Sequence, residues 1–313
     1  MKILIAAASF SPHISGVQRH ALNVTRCLLR RPEVEAVTLA IAPWQRNLVD
    51  ADTFNRDPRL SIHVAEMDRN AFGRNHWYYR RLPRVASSLD ADLVHLSFPM
   101  PIRAAAFHCP TVVTLHDLYP YEIPPNFGFP KFALNRIVLQ QCFRNVDAIA
   151  CISDSTCASF KRYSPRAVWR KAIRIHNYIE PAADTLHRVA VPGWLCEPFL
   201  LCVAQHRRNK NIELLIRSFR TLLRCGEIDS AMNLFIVGIG GPETRGIRGL
   251  VSRSGLDLRV RFFEGLSESE LQWCYSHCEV LVAPSLTEGF GLPVVEALLA
   301  GARVVCSDIP AFR

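Results

Sequence analysis

The sequence lacks three features that would assign it to well-defined classes of protein. None of its 11 cysteines forms a C-x-x-C pair and their number is odd, so neither a disulfide framework nor a paired-cysteine zinc site is predicted. No apolar run approaches the roughly 18–20 residues of a membrane-spanning helix. The N-terminal apolar run, Ile3–Phe10, is too short for a secretory signal with a cleavage site. Together these absences predict a cytoplasmic protein.

Lysine is also scarce, since only five of the 37 basic residues are lysines and the other 32 are arginines. Residues 1–190 contain 24 basic and 15 acidic residues, whereas residues 191–313 contain 13 of each, so the net charge of +9 lies entirely in the first part. With 313 residues and 49% hydrophobic composition, the chain is long enough for two domains of about 150 residues with buried cores. The sequence therefore predicts a basic first domain and a neutral second one.

Short apolar runs alternate with helical patterns along the chain. The run Lys2–Ala8 is typical of a buried strand, and Val17–Leu29 has the spacing of a helix. Such alternation indicates a parallel sheet covered by helices on both faces. Three prolines and a glycine interrupt the pattern near residue 190, and the alternation then resumes. The predicted organisation is two doubly wound domains, residues 1–190 and 199–313, joined by a linker at 191–198.

The end of the chain departs from this pattern. The last predicted strand, Arg303–Cys306, is followed by seven residues, and a doubly wound sheet is expected to have a covering helix there. We therefore expect the second domain to be incomplete at its C-terminal end.

Two glutamates flank a glycine-containing loop near the end of the chain. Glu288 follows a predicted strand, and Glu296 lies eight positions later in a predicted helix with Pro293 in its first turn. The residues between the glutamates include Gly289, Phe290, Gly291 and Leu292. Glycines allow a ligand to approach the backbone, the first N–H groups of a helix bind diphosphates, and carboxylates accept hydrogen bonds from sugar or ribose hydroxyls. The alternative is an acidic loop residue and a glutamate on a solvated helix face.

The segment E-G-F-G-L-P-x-x-E followed by A-L-L-A-G, residues 288–301, resembles the E-x7-E signature of family 4 glycosyltransferases, a group of retaining nucleotide-sugar transferases. The resemblance extends from about residue 1 to the end of the chain. It implies the α/β GT-B fold, in which two doubly wound Rossmann-like domains face each other across a cleft. It also implies that Glu296 holds the ribose, that Glu288 faces the donor sugar, and that the backbone of 289–292 meets sugar and phosphate.

Three basic residues follow the first predicted strand of the second domain. Arg207, Arg208 and Lys210 lie at a strand exit, where ligands of parallel sheets bind, and their charge would neutralise a departing diphosphate. A solvated basic turn is the alternative. Lys210-Asn211 matches the family pattern, whereas Asn209 stands where the family usually has an arginine. We predict catalytic roles for Arg208 and Lys210 and a donor-binding role for Arg207, with the arginine that accompanies Lys210 left open.

Histidines and glycines at other strand exits complete the predicted site. For His116 and Asp117 the sequence leaves three alternatives, a general-base pair, a metal site or a pair in the core. A metal site is disfavoured because no further ligands stand at suitable spacing. The resemblance places His116 in the cleft as a catalytic hydrogen-bonding group facing the donor sugar. His95 is similarly placed, with a structural histidine as the alternative. The resemblance also implies donor binding by Gly16, which retains one of two family glycines, and by Gly238, which begins G-I-G-G after a strand.

The basic first domain contains Arg74–Arg84, in which arginines alternate with Trp77, Tyr78 and Tyr79. These aromatic residues either stack on nucleic acid, lie at a lipid interface, or pack in the core of an amphipathic helix. Given the resemblance, anionic lipid headgroups or lipid-diphosphate acceptors explain the charge better than nucleic acid does.

The resemblance implies a hexosyltransferase that moves a mannosyl-type unit from a UDP- or GDP-sugar to a glycan or lipid-linked acceptor in polysaccharide or glycolipid biosynthesis. No cofactor, no metal and no nucleic acid is expected, and peripheral contact with an anionic membrane is expected at its inner face. A nucleotide-sugar-binding fragment without turnover is the alternative that an incomplete second domain leaves open.

Overall fold

The computed structural model describes residues 1–10, 15–46, 57–179 and 197–313. By contacts between its residues, the chain divides into two compact units, Met1–Tyr178 and Ile179–Arg313. Six of the eight residues of the predicted linker, 191–196, lie outside the described residues. The linker boundaries therefore stay a prediction.

The described part of the first unit contains a seven-stranded sheet. Its strands are β1 (Lys2–Ala6), β2 (Ala36–Ile41), β3 (Leu60–Val64), β4 (Leu93–Leu96), β5 (Thr111–Leu115), β6 (Ala148–Cys151) and β7 (Ala172–Arg174). They pair in the order β3-β2-β1-β4-β5-β6-β7, and every pair is parallel. The order changes direction between β1 and β4, which makes the carboxyl ends of these strands the place where ligands of such sheets bind.

Helices cover both faces of this sheet, as the alternation of patterns predicts. They are α1 (Gly16–Leu29), α2 (Ala71–His76), α3 (Leu82–Ser88), α4 (Tyr119–Glu122), α5 (Lys131–Asn145), α6 (Asp154–Tyr163) and α7 (Arg166–Trp169), with a π-helical turn, Trp77–Arg81, between α2 and α3. Successive residues of β1 point to opposite faces. Ile5 therefore packs with Leu22 of α1, whereas Leu4 belongs to the cluster on the other face that contains Trp77 and Tyr78.

The aromatic residues of the basic segment belong mainly to this core. Trp77 and Tyr78 are fully buried, and Tyr78 Oη donates a hydrogen bond to the carbonyl oxygen of Ala8 at 3.0 Å. Burial raises the pKa of Tyr78. Of the three alternatives for Arg74–Arg84, the structure shows core packing.

The described part of the second unit contains a five-stranded sheet. Its strands are β8 (Phe199–Val203), β9 (Asn233–Val237), β10 (Val260–Phe263), β11 (Val280–Ala283) and β12 (Val304–Cys306). They pair in parallel in the order β10-β9-β8-β11-β12, so the change of direction lies between β8 and β11. Its helices are α8 (Ile212–Cys225), α9 (Thr244–Arg253), α10 (Glu268–His277) and α11 (Leu292–Leu299).

Local signals in the sequence explain where the helices of the second unit begin. Ser267 caps α10 by accepting from Glu270 N at 3.3 Å, and its own N–H donates to Glu270 Oε2 at 2.7 Å. This reciprocal arrangement is a capping box, and it lowers the pKa of Glu270.

Among the described helices, none has both the length and the apolar character needed to cross a membrane.

Candidate functional site

A partly buried ion pair lies where β8 and β11 end. Lys210 closes the 3-10 turn that follows β8, and Glu288 lies in the loop that follows β11. Lys210 Nζ is 2.5 Å from Glu288 Oε1, and Ser285 Oγ donates to the same oxygen at 2.7 Å. The two charged side chains are only 18% and 9% exposed. The structure thus brings together two predicted catalytic residues that are 78 positions apart in the chain.

Asn209 links the two segments that carry this ion pair. It is fully buried, its carbonyl oxygen accepts from Leu286 N at 2.8 Å, and its Nδ2 donates to the carbonyl oxygen of Thr287 at 3.4 Å. Asn209, which stands where the family usually has an arginine, therefore uses a neutral amide to hold the loop before Glu288 in place.

The two arginines of this segment have different surroundings. Arg207 is partly buried, and its Nε donates to Gln205 Oε1 at 2.7 Å, whereas Arg208 is exposed. Which of them accompanies Lys210 stays open, and their roles stay predictions.

Glu296 lies on the buried face of α11. It is 5% exposed, and its Oε2 accepts a hydrogen bond from Tyr275 Oη of α10 at 2.7 Å. The burial excludes the alternative of a glutamate on a solvated helix face. Tyr275 was not predicted, because a tyrosine at helical apolar spacing is indistinguishable from a core residue.

The backbone at the start of α11 has a conformation that only a glycine adopts easily. Gly291 precedes the helix with φ +89°, and a Cβ atom there would collide with the ring of Phe312. Pro293 has no N–H, and Val294 N already donates to the carbonyl oxygen of Gly291 at 2.9 Å. Leu292 therefore contributes the first N–H of the helix. Donor binding by residues 289–292 stays a prediction.

Gly238 has a packing role that is visible in the structure. Its φ is +154°, and a Cβ atom there would collide with the carbonyl group of Ala204, which follows β8. This glycine therefore allows the exits of β8 and β9 to approach each other, and contact with a nucleotide stays a prediction.

We expect Gly238→Ala to lower the free energy of unfolding by about 2 kcal/mol or more, because the backbone conformation and the collision both oppose a side chain. Gly246→Ala is the control, since Gly246 lies inside α9 and a Cβ atom there would meet no other atom within 4 Å. That substitution should raise stability by about 0.5–1 kcal/mol. Urea unfolding of both variants tests the pair, and equal changes would contradict this interpretation of Gly238.

His116 lies at the corresponding edge of the first sheet, directly after β5. Its Nε2 donates to the carbonyl oxygen of Ser97 at 2.8 Å, and its ring contacts that of His20 edge-to-face at 4.9 Å between centroids. Burial lowers the pKa of His116 to about 4, although the hydrogen bond to Ser97 acts in the opposite direction. Asp117 accepts from Tyr119 N at 3.1 Å, and a general-base role of the two residues stays a prediction.

The other two residues predicted for the first domain are His95 and Gly16. His95 is buried in β4, and Gly16 is the first residue of α1, the helix that carries His20. Residues 11–14, which come shortly before Gly16, lie outside the described part of the chain. Within the described part, no group of three or more His, Cys, Asp or Glu side chains is arranged to hold a metal ion. Independence of metal stays a prediction.

Family models match both units. The model described as Glycosyltransferase Family 4 matches residues 14–182, and the model described as Glycosyl transferases group 1 matches residues 195–313. Among solved structures, the chain is similar to Anabaena HepE in complex with UDP and glucose, with a TM-score of 0.71, 16% identity, and coverage of 100% of this chain and 82% of that one.

Curated relatives agree with the family models. The chain is 26% identical over 212 residues to the O-antigen chain mannosyltransferase RfbU of Salmonella typhimurium, covering 64% of this chain and 53% of the relative. It is 30% identical over 228 residues to the serotype-specific mannosyltransferase WbdA of Escherichia coli, covering 68% of this chain and 27% of the relative. The chain thus spans about half of the first relative and about a quarter of the second. From the two family models and the GT-B fold of its structural neighbours, we conclude that the chain belongs to glycosyltransferase family 4.

Proposed function

We propose that the chain is a retaining hexosyltransferase that moves a mannosyl-type unit from a UDP- or GDP-sugar to a glycan or lipid-linked acceptor in polysaccharide or glycolipid biosynthesis. The observation that carries the proposal is the Lys210–Glu288 pair at the switch point of the second sheet, with the buried Glu296 on the adjoining helix. The names of RfbU and WbdA support the mannosyl unit. The UDP and glucose in the HepE complex support a nucleotide-sugar donor.

The chemistry required of this site is the departure of a nucleoside diphosphate. The bond between the anomeric carbon and the diphosphate oxygen breaks, the acceptor hydroxyl oxygen bonds to that carbon on the same face, and the departing phosphate takes the hydroxyl proton. Negative charge develops on the leaving oxygen, and fixed cations and N–H dipoles stabilise it best. Lys210, the neighbouring arginines and the start of α11 supply such groups. Glu288 then holds the ammonium of Lys210 in place and accepts hydrogen bonds from the sugar.

The proposal is tested by incubating the purified chain with UDP-glucose, UDP-N-acetylglucosamine and GDP-mannose, with and without a mannoside acceptor. We expect release of one nucleoside diphosphate and a product with the same anomeric configuration as the donor, measured by proton NMR. An inverted product would contradict retention. Nucleotide binding without hydrolysis or transfer would favour a binding fragment over an enzyme.

We also propose contact with an anionic membrane, and we assign it to residues 129–137 instead of Arg74–Arg84, whose Trp77 and Tyr78 are buried in the core. Three large apolar side chains at and just before α5 are strongly exposed: Phe129 at 83%, Leu134 at 57% and Ile137 at 65%. No aspartate or glutamate occurs in residues 123–146, which contain three basic residues. Exposed apolar groups flanked only by cations are typical of a surface that inserts among anionic headgroups. The contact would hold the protein at the inner face of the membrane.

Ile137→Glu is expected to lower binding to vesicles of phosphatidylglycerol and phosphatidylcholine by about tenfold or more, because a carboxylate replaces an apolar group beside anionic headgroups. Leu258→Glu is the matched control, since Leu258 is an 88% exposed leucine of the second unit. Vesicle sedimentation measures both variants. Equal binding of Ile137→Glu and wild type, or no binding of the wild type, would overturn the proposed membrane contact.

A further inference from the structure

Two buried histidines in the first unit share one hydroxyl group. His95 Nε2 lies 2.8 Å from Thr114 Oγ1, and His20 Nε2 lies 3.1 Å from the same oxygen. All three side chains are less than 9% exposed. They come from β4, β5 and α1, so the hydroxyl joins three elements at the switch point of the first sheet.

The partners of these groups determine where each proton lies. The far nitrogen of His20, Nδ1, is 2.8 Å from Asn177 Oδ1, which can only accept, so this nitrogen carries the proton. The Nε2 of a neutral His20 must then accept from the hydroxyl of Thr114. Because a hydroxyl has a single proton, Thr114 Oγ1 accepts from His95, whose Nε2 therefore carries the proton.

This assignment also explains a buried atom that lacks a partner. His95 Nδ1 has no hydrogen bond among the described residues. In the deduced tautomer it is an acceptor nitrogen and not an N–H group. The chain Asn177–His20–Thr114–His95 is thus consistent with four neutral polar groups, and burial lowers the pKa of both imidazoles, to about 4 for His95.

His116 lies directly against this chain. Its Nε2 faces a backbone carbonyl, that of Ser97, which accepts only, so Nε2 carries the proton and Nδ1 has a lone pair. The His20 ring meets the His116 ring at an interplanar angle of 89°. A His20 ring fixed by two hydrogen bonds therefore limits the orientation that His116 can adopt.

We infer that His20 and Thr114 are positioning residues, which hold the ring of His116 oriented so that its Nδ1 accepts a hydrogen bond from a substrate hydroxyl. This inference rests on the proposed glycosyl transfer, in which the donor and the acceptor present hydroxyl groups. It assigns His116 the role of an acceptor rather than of a proton donor.

The test compares Thr114→Val, which keeps the shape of the side chain and removes the hydroxyl, with Thr114→Ser, which retains the hydroxyl. With the donor that the wild type turns over, we expect Thr114→Val to lower kcat about 10- to 100-fold, since a small misplacement of a positioned group has effects of this size. The KM for the donor should change less than about threefold, and Thr114→Ser should restore most of kcat. An unchanged kcat in Thr114→Val would overturn the inference.

Long-range proton–nitrogen NMR of the histidine rings tests the same inference without any substrate. In the wild type we expect the Nε2–H tautomer for His95 and His116 and the Nδ1–H tautomer for His20. Asn177→Leu, which removes the acceptor that faces Nδ1, should make the pattern of His20 an average of both tautomers. Thr114→Val should leave His20 in the Nδ1–H tautomer, because Asn177 Oδ1 still accepts, and should make the pattern of His95 an average of both tautomers. The opposite tautomers in the wild type would overturn the inference even if transfer is observed. The expected tautomers without any turnover would instead count against the proposed function alone.

Discussion

Lys210→Ala is expected to lower the free energy of unfolding of the chain by about 3 kcal/mol and the rate of transfer by about 100-fold or more. The first effect follows because the carboxyl group of Glu288, whose side chain is 9% exposed, loses the ammonium 2.5 Å away and has little water to replace it. The second follows because the leaving diphosphate loses a fixed cation. Urea unfolding measures the first effect, and release of nucleoside diphosphate measures the second.

Two further variants separate these effects from a general loss of charge. Lys210→Ala with Glu288→Ala should be more stable than Lys210→Ala alone, because the unpaired carboxylate is removed with its partner. Arg217→Ala is the matched control, since Arg217 and Glu213 form an ion pair at 2.6 Å with both side chains more than 60% exposed. Exposed pairs of this kind contribute about 0.5 kcal/mol or less. If Lys210→Ala were no more destabilising than Arg217→Ala, the Lys210–Glu288 pair would contribute no more to the free energy of unfolding than an exposed ion pair does.

Glu296→Gln is expected to weaken nucleotide binding by about 10- to 100-fold. A hydrogen bond to a charged group contributes about 1.5–3 kcal/mol, and each 1.4 kcal/mol corresponds to a tenfold change in Kd. The substitution keeps the size of the side chain and removes the charge that is proposed to accept the ribose hydroxyls. Calorimetric titration with UDP and with GDP measures the change for whichever nucleotide the wild type binds.

Tyr275→Phe is the control for this prediction. It removes the hydrogen bond of 2.7 Å to Glu296 Oε2 and keeps the carboxylate. We expect a smaller loss of affinity, below about tenfold, together with a loss of about 1 kcal/mol in stability. An unchanged affinity in Glu296→Gln would show that Glu296 does not hold the nucleotide.

The central strands could be predicted from the sequence because they are buried on both faces. β1 and β8 have near-continuous apolar runs, as parallel strands covered by helices require. β3 and β7 were not predicted, since both lie at edges of the first sheet, where they are half-exposed and mix polar with apolar residues. An edge strand is stabilised by its single neighbour, and that pairing leaves little periodicity in the sequence.

The candidate site was predicted residue by residue but not as an arrangement. Lys210 and Glu288 each stand at a strand exit, yet their contact depends on β8 lying beside β11, and this strand order is a property of the folded sheet. The same reason applies to His20, which lies 94 positions from Thr114 and is joined to it only by the packing of α1. Trp77 is a further example, because its local pattern allowed surface and core alternatives and only packing decides between them.

Hydrogen exchange measured by mass spectrometry, with and without saturating UDP or GDP, tests most directly that the second unit contains the donor site. We predict that one of the two nucleotides slows exchange in peptides covering residues 204–211 and 285–296, where Lys210, Glu288 and the start of α11 lie. Peptides from α8, on the same unit, should exchange at unchanged rates. Protection confined to other segments, or no protection by either nucleotide, would contradict the proposed donor site.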